Sequence, residues 1–222
     1  MAAPFYESIA SEALRFGDVV AGFTLTVPHQ IAPHPESCIL DYRIEVSHPH
    51  YAAVLSPCCS IGDSTILLSP LIQVIKSWQD NPYFAEDLTR INRVMKAEQT
   101  VSASRWESFS QEEKMRRLAV HKPSYVYVEH FIYAPHPLLP IYECKRRGTV
   151  SQIGHYMVDF RKLFKVDCPE IRSATACPLQ VRKLQLSRES RAELRNKLTF
   201  FFGRIPSEDL SPLEATPPAG LA

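Results

Sequence analysis

The segment Ala52–Ile72, AAVLSPCCSIGDSTILLSPLI, constrains the fold more than any other stretch of the chain. Two short runs rich in Val, Ile and Leu, Ala52–Leu55 and Ile66–Leu68, flank a loop of small and polar residues, and a Ser-Pro pair follows each run. Apolar runs of this length bounded by turn residues read as buried strands. Proline has no N–H to give to a ladder, so Pro57 and Pro70 mark strand ends or edges. Gly62 and Asp63 favour a reversal between the runs. The reading is a β-hairpin with a broad loop, central to a small antiparallel β-barrel or strongly bent sheet in an α+β fold.

The 222 residues, 45% hydrophobic and 22% charged, are enough for one soluble globular domain carrying an insertion. No apolar run approaches the ~20 residues a membrane helix needs, so no membrane contact is expected. The first residues, MAAPFYESIASEALRFGD, lack a basic start followed by an apolar block, and no secretory signal is read there. Six irregularly spaced cysteines then read as reduced thiols in a cytoplasmic, bacterial or phage-like protein. Charge is unevenly spread. Residues 1–113 carry 7 Lys/Arg against 14 Asp/Glu, whereas residues 114–205 carry 18 against 7. That polarity suggests an anionic partner for the second half, RNA or an acidic protein surface, or contact between the halves. Basic residues on solvated faces are the plainer alternative.

Taken in order, Phe5, Ile9, Ala13 and Leu14 have helical spacing and predict a short N-terminal helix within residues 1–16. Gly17-Asp18 ends it, and Val19–Leu25 starts a first strand. Residues 27–38 hold three prolines and two histidines and read as a loop. Ile39–Val46 is a candidate strand leading to the hairpin. Asp80-Asn81-Pro82 starts a helix with Leu88, Ile91 and Met95 on one face. Ser110-Gln111-Glu112-Glu113 is a capping box for a second, with Met115, Leu118 and Ala119 facing inward. Ser124–Tyr133 alternates aromatic and β-branched residues and reads as a strand, as do Leu138–Cys144 and His155–Lys165, with Lys145–Gly148 a turn and 166–178 a loop. Ser187 opens a last helix with Leu194, Leu198, Phe201, Phe202 and Ile205 as its apolar stripe, Gly203 as its stop, and Arg188, Arg191, Arg195 and Lys197 on the opposite face. The organisation read from this is first barrel strands in 1–77, a helical insertion in 78–123, remaining strands and closing helix of the same domain in 124–205, and a mobile tail in 206–222.

Gly17-Asp18-Val19-Val20, Ala52–Pro57, Ser64–Leu68, a later strand and a closing amphipathic helix, in that order, resemble the MazF/PemK (CcdB-like) toxin barrel. The resemblance covers about half of the chain, and the loop at 27–48 and the helices at 78–122 depart from the compact pattern. That family contains metal-independent, sequence-specific endoribonucleases, in which an Arg before the VLSP strand and a Ser/Thr before the next strand handle the scissile phosphate. Attack by a ribose 2′-OH needs positive charge on the phosphate and proton transfer at both oxygens. The resemblance places Thr65, with Ser64 beside it, at the Ser/Thr position and His50 at the Arg position. Histidine can exchange protons near neutral pH but lacks the bidentate fork of Arg.

Three further constellations carry chemistry or its simpler counterpart. Cys59, next to Cys58, could be a reactive thiol with His48, His50 or Asp63 as base, or a small half-buried loop residue. Cys38, His48, His50, Cys58 and Cys59 match no zinc-finger spacing, so no metal and no cofactor is expected. Tyr125, Tyr127, Phe131 and Tyr133 could stack bases, or fill a core. Lys145, Arg146 and Arg147, with Arg188, Arg191 and Arg195, could track a phosphate backbone or grip an acidic protein. The missing Arg, the insertion and the charge polarity together favour a non-catalytic protein-binding or regulatory module on a degenerate PemK-like barrel, from a bacterial defence or toxin–antitoxin system, a CRISPR accessory complex among them. A metal-independent single-stranded-RNA endoribonuclease is the alternative, and a cysteine hydrolase using Cys59 a third.

Overall fold

The computed structural model of the chain describes residues 4–8, 14–21, 24–30, 42–57, 60–61, 65–79, 87–92, 108–119, 129–146, 149–167 and 182–203. Its strands are β1 (Tyr6–Glu7), β2 (Val19–Val20), β3 (Leu25–Gln30), β4 (Tyr42–Ser47), β5 (Ala52–Val54), β6 (Thr65–Pro70), β7 (Ile72–Gln73), β8 (His130–Tyr133), β9 (Tyr142–Arg146), β10 (Thr149–Ile153), β11 (Tyr156–Asp159), β12 (Phe164–Asp167) and β13 (Arg182–Leu186). The helices are α1 (Lys76–Gln79), a 3-10 helix (Leu88–Asn92), α2 (Gln111–Ala119) and α3 (Arg188–Phe202). None of them is long and apolar enough to cross a membrane.

The hairpin expected at 52–72 is present: β5 and β6 pair antiparallel, with Ala52 opposite Pro70 and Val54 opposite Leu68. It lies inside a six-stranded antiparallel sheet of order β1-β13-β2-β5-β6-β12. Only Leu71 separates β6 from β7, and β7 belongs to a second sheet of order β7-β11-β8. The chain therefore turns a corner between sheets at that residue. Two ribbons, β3–β4 and β9–β10, make up the rest. Among the described residues the large sheet ends at β1 and β12, and no ladder closes it into a barrel.

Burial on both faces explains why β5 reads as a continuous apolar run. Ala53 joins Val19, Phe131, Tyr133, Val158, Leu184, Leu186 and Leu194 on one side. Ala52 and Val54 pack with Val20, Leu25, Ile66 and Leu68 on the other. A third cluster sets Val74, Trp78, Leu88 and Ile91 against Ile132 and Met157. Residues from the 78–123 segment thus share a core with β8 and β11. Gly17 sits against Leu186 of β13 and Leu194 of α3. Its φ is 86°, its N–H donates to the Val54 carbonyl at 2.7 Å, and Tyr133 Oη donates to its carbonyl at 3.1 Å.

α3 starts where its cap predicts. Ser187 Oγ accepts from the Ser190 N–H at 3.2 Å, and the Gly203 N–H donates to the Thr199 carbonyl at 2.8 Å. Leu194 is buried, with Leu198 and Phe201 partly buried beside it. Phe202 is 62% exposed, because 3.6 residues per turn carries it about 80° around the helix from Leu194.

Several expectations are corrected. Tyr6–Glu7, placed in an N-terminal helix, is a strand paired with Leu186 and Gln185. Tyr6 Oη donates to the Ala134 carbonyl at 2.6 Å, and Phe5 packs on Phe131 and Tyr133. Tertiary pairing overrides helical spacing there. Residues 27–30, read as loop, are strand paired with Tyr42–Glu45; Pro28 is accommodated in a two-stranded ribbon, where an outer edge needs no donor. Lys145 and Arg146, read as turn, are paired in β9 with Val150 and Thr149. Met115 is 55% exposed and Ala119 is exposed, so α2 does not turn them inward. Lys197, assigned to the solvent face of α3, is 1% exposed. The helix start at 80–82, Met95, strand residues 124–128, the 31–38 loop, Ile205 and the 206–222 tail lie outside the described residues.

Candidate functional site

The pair that the family resemblance singles out is not brought together. His50 is exposed, at a bend before β5, and Thr65 is half-buried at the start of β6, opposite Asp167. The register sets Ala52 against Pro70, so Thr65 lies about 16 Å further along the ladder at ~3.3 Å per residue. His50 precedes Ala52 and stands off the other end of the hairpin. Two groups serving one phosphate must each come within hydrogen-bond reach of it, and this spacing exceeds that several-fold. Ser64, Cys59 and Arg147 lie outside the described residues.

The basic residues have separate situations. Lys145 is exposed on β9, opposite exposed Val150. Arg188 and Arg195 are exposed on α3. Arg191 is committed to the fold: its Nη2 donates to Glu7 Oε1 at 3.1 Å and to the Leu186 carbonyl at 3.4 Å. Arg15 reaches the same carboxylate oxygen at 3.2 Å. Arg191 thereby ties the start of α3 to β1. Arg146 contributes its backbone to β9.

A group of buried titratable side chains among the described residues lies elsewhere, where α3 and the 3-10 helix meet the second sheet. Register pairs His130 of β8 with Asp159 of β11. His130 Nε2 and Asp159 Oδ2 are 3.7 Å apart, an ion-pair distance longer than a hydrogen bond, and both side chains are 6% exposed. Asp159 is gripped from the surface by Arg161, whose Nε and Nη2 donate to its two oxygens at 2.9 and 2.8 Å. The Arg161 N–H adds a third bond at 3.0 Å. Burial pushes the Asp159 carboxyl up, and the Arg161 hydrogen bonds together with the charges of His130 and Arg161 more than reverse this, so it lies below the ordinary carboxylate range. Burial lowers the His130 imidazole, against the pull of Asp159. The Trp78 ring stands edge-on to His130, with centroids 4.8 Å apart at 86°.

Lys197 completes the group. Its Nζ donates to the Ile91 carbonyl at the end of the 3-10 helix. Burial pushes its ammonium down to about 7, partly opposed by Glu129 and Glu193. Beside it, Asn92 bridges the 3-10 helix to β8. Asn92 Nδ2 donates to the Ile132 carbonyl at 2.7 Å, and the Ile132 N–H donates to Asn92 Oδ1 at 2.6 Å. His130, Asp159, Asn92 and Lys197 are nearly closed to solvent, and their bonds tie the 3-10 helix and α3 to the second sheet. No sequence motif marks this group. Its members come from four separate elements, and the helical wheel assigns Lys197 to solvent.

Two surface features also went unmarked by motifs. In the β3–β4 ribbon, Thr26 lies opposite Val46 and Pro28 opposite Ile44, all exposed on one face, with Ile44 at 66% and Val46 at 54%. Around β9–β10, Leu138, Ile141 and Val150 are each more than half exposed. Among the described residues no three His, Cys, Asp or Glu side chains converge as metal ligands would. No protein-family model, curated protein or solved structure matches the chain.

Proposed function

We propose that the chain is a non-catalytic protein-binding or regulatory module on a strongly bent, PemK-like antiparallel sheet. The observation that carries this reading is the apolar outer face of the β3–β4 ribbon, with Ile44 and Val46 both more than half exposed. A two-stranded ribbon is marginal in water by itself, and contiguous exposed apolar side chains mark interaction sites. Exposed Lys145, Arg188 and Arg195 would favour an acidic partner. The separation of His50 from Thr65 supports binding over RNA cleavage. The setting in a bacterial defence or toxin–antitoxin system rests on the family resemblance.

Pull-down from the source cells, repeated with an Ile44→Ser/Val46→Ser variant, tests the proposal. The expected result is a stable protein partner held by the parent chain and lost by the variant, with the unfolding midpoint unchanged. Absence of any partner, together with EDTA-resistant cleavage of single-stranded RNA that Thr65→Ala/His50→Ala abolishes, would establish the nuclease instead.

A further inference from the structure

Lys197 is an unusual component of α3, which docks through Leu194, Leu198 and Phe201 and is tied to β1 at its start by Arg191. It is 1% exposed, and its amine is directed at a main-chain carbonyl, that of Ile91, contributed by an element far away in sequence. A protonated amine carries three donors, and Ile91 is its one hydrogen-bond acceptor among the described residues. A neutral amine is well served by that single bond, whereas an ammonium in the same place is largely desolvated. The docked helix therefore prefers the neutral form, and the released helix, with Lys197 in water, prefers the charged one.

We propose that Lys197 is a proton-operated latch that sets how tightly α3 is docked on the 3-10 helix and the second sheet. Uptake of a proton by the amine loosens the docking and frees the face carrying Leu194, Leu198 and Phe201. The inference is independent of the binding role proposed above.

The charged surroundings decide the pH range. Glu129, just before β8, and Glu193, one turn back on α3, act on Lys197 as opposing charges. His130 lies close enough to sense the lysine's charge. Asp159 and Arg161 form the ion pair behind His130. Arg90 is the charged residue of the 3-10 helix, and Arg182 and Lys183 those of β13. Carboxylic acids and guanidinium groups ordinarily change charge far outside pH 7–9. His130 is displaced to lower pH. Lys197, pushed down to about 7, is the member of the buried cluster that titrates in that interval. Because its docked value lies below its free value, docking is strongest above the free value and weakens as pH falls toward 7. Between a free value of 10.5 and a docked value of about 7, the opening equilibrium grows roughly fiftyfold from pH 9 to pH 7.

Two measurements on the full chain test this. NMR titration of the Lys197 side-chain Cε resonance is expected to give a midpoint near 7; a midpoint at 10 or above would overturn the latch. Hydrogen exchange of the 188–202 amides, corrected for intrinsic exchange rates, is expected to show openings roughly fiftyfold more populated at pH 7 than at pH 9. Lys197→Met should abolish that dependence. If it does not fold, Lys197→Gln, which keeps one donor for the Ile91 carbonyl and cannot charge, takes its place. Equal opening at both pH values, or the same dependence in the uncharged variant, would refute the proposal.

Discussion

Asn92 gives the sharpest test of how the 3-10 helix is held to the sheet. β8 is the outer strand of its sheet, and Ile132 turns both its N–H and its C=O away from β11, toward Asn92. One side-chain amide thus does for β8 what a neighbouring strand would do. Asn92 is 1% exposed and Ile132 is fully buried, so water does not replace the lost partners when the amide is removed. Asn92→Ala orphans one donor and one acceptor at about 1–3 kcal/mol each, for a loss of about 4 kcal/mol. That is a large share of the 5–15 kcal/mol typical of a domain. Urea unfolding is the assay, with a lower midpoint expected at unchanged slope. Asn92→Asp separates hydrogen bonding from packing. The isosteric carboxylate keeps the acceptor for the Ile132 N–H but faces the Ile132 carbonyl with a second oxygen, so the buried acid should titrate above its ordinary value. Its stability should be best at low pH, where the protonated form can donate, and should fall as pH rises through that raised value. A loss below 1 kcal/mol for the alanine variant would mean that the edge of β8 is satisfied in some other way.

Two other perturbations have definite signs. Gly17→Ala would put a Cβ 2.6 Å from Leu186 Cδ1 and 3.2 Å from Leu194 Cδ2, at a φ of +86°. Left-handed strain of about 1–2 kcal/mol and overpacking of about 1–3 kcal/mol together predict a melting temperature lower by roughly 10 °C. Asp159, held below the usual carboxylate range, contributes stability that is present above its unfolded value of 3.8 and lost as acid titrates the folded protein. Arg161→Met should weaken or reverse that acid dependence in denaturation measured from pH 5 to pH 3, since burial alone pushes the carboxyl up.

Local chemistry made part of this fold legible. The β5–β6 hairpin announces itself because Ser-Pro ends each run and both faces of β5 are buried. α3 does so because Ser187 and Gly203 bracket an apolar stripe. What stayed hidden depends on contacts between distant residues. β13, Arg-Lys-Leu-Gln-Leu, is poor in strand formers, yet it is central to the large sheet because β1 and β2 supply its pairing on either side. Tyr6 is a strand residue for the same reason. A helical wheel misplaces Lys197 because it treats charge as a vector toward water, whereas the long stem and the Ile91 carbonyl allow burial. The family resemblance places the candidate phosphate site on short motifs that are near each other in sequence order. A hairpin register decides which residues share an end, and here it sends His50 and Thr65 apart.

The large sheet joins segments far apart in sequence: Tyr6 pairs with Leu186, and Arg182 and Leu184 pair with Val20 and Val19. During synthesis, β2 must wait for β13 (Arg182–Leu186), far later in the sequence, to leave the ribosome before its second neighbour exists. Until then one side of that strand offers open backbone groups to any passing extended segment, and such non-local closure is slow. This architecture would therefore make nascent and C-terminally shortened chains depend on chaperones far more than the finished protein does.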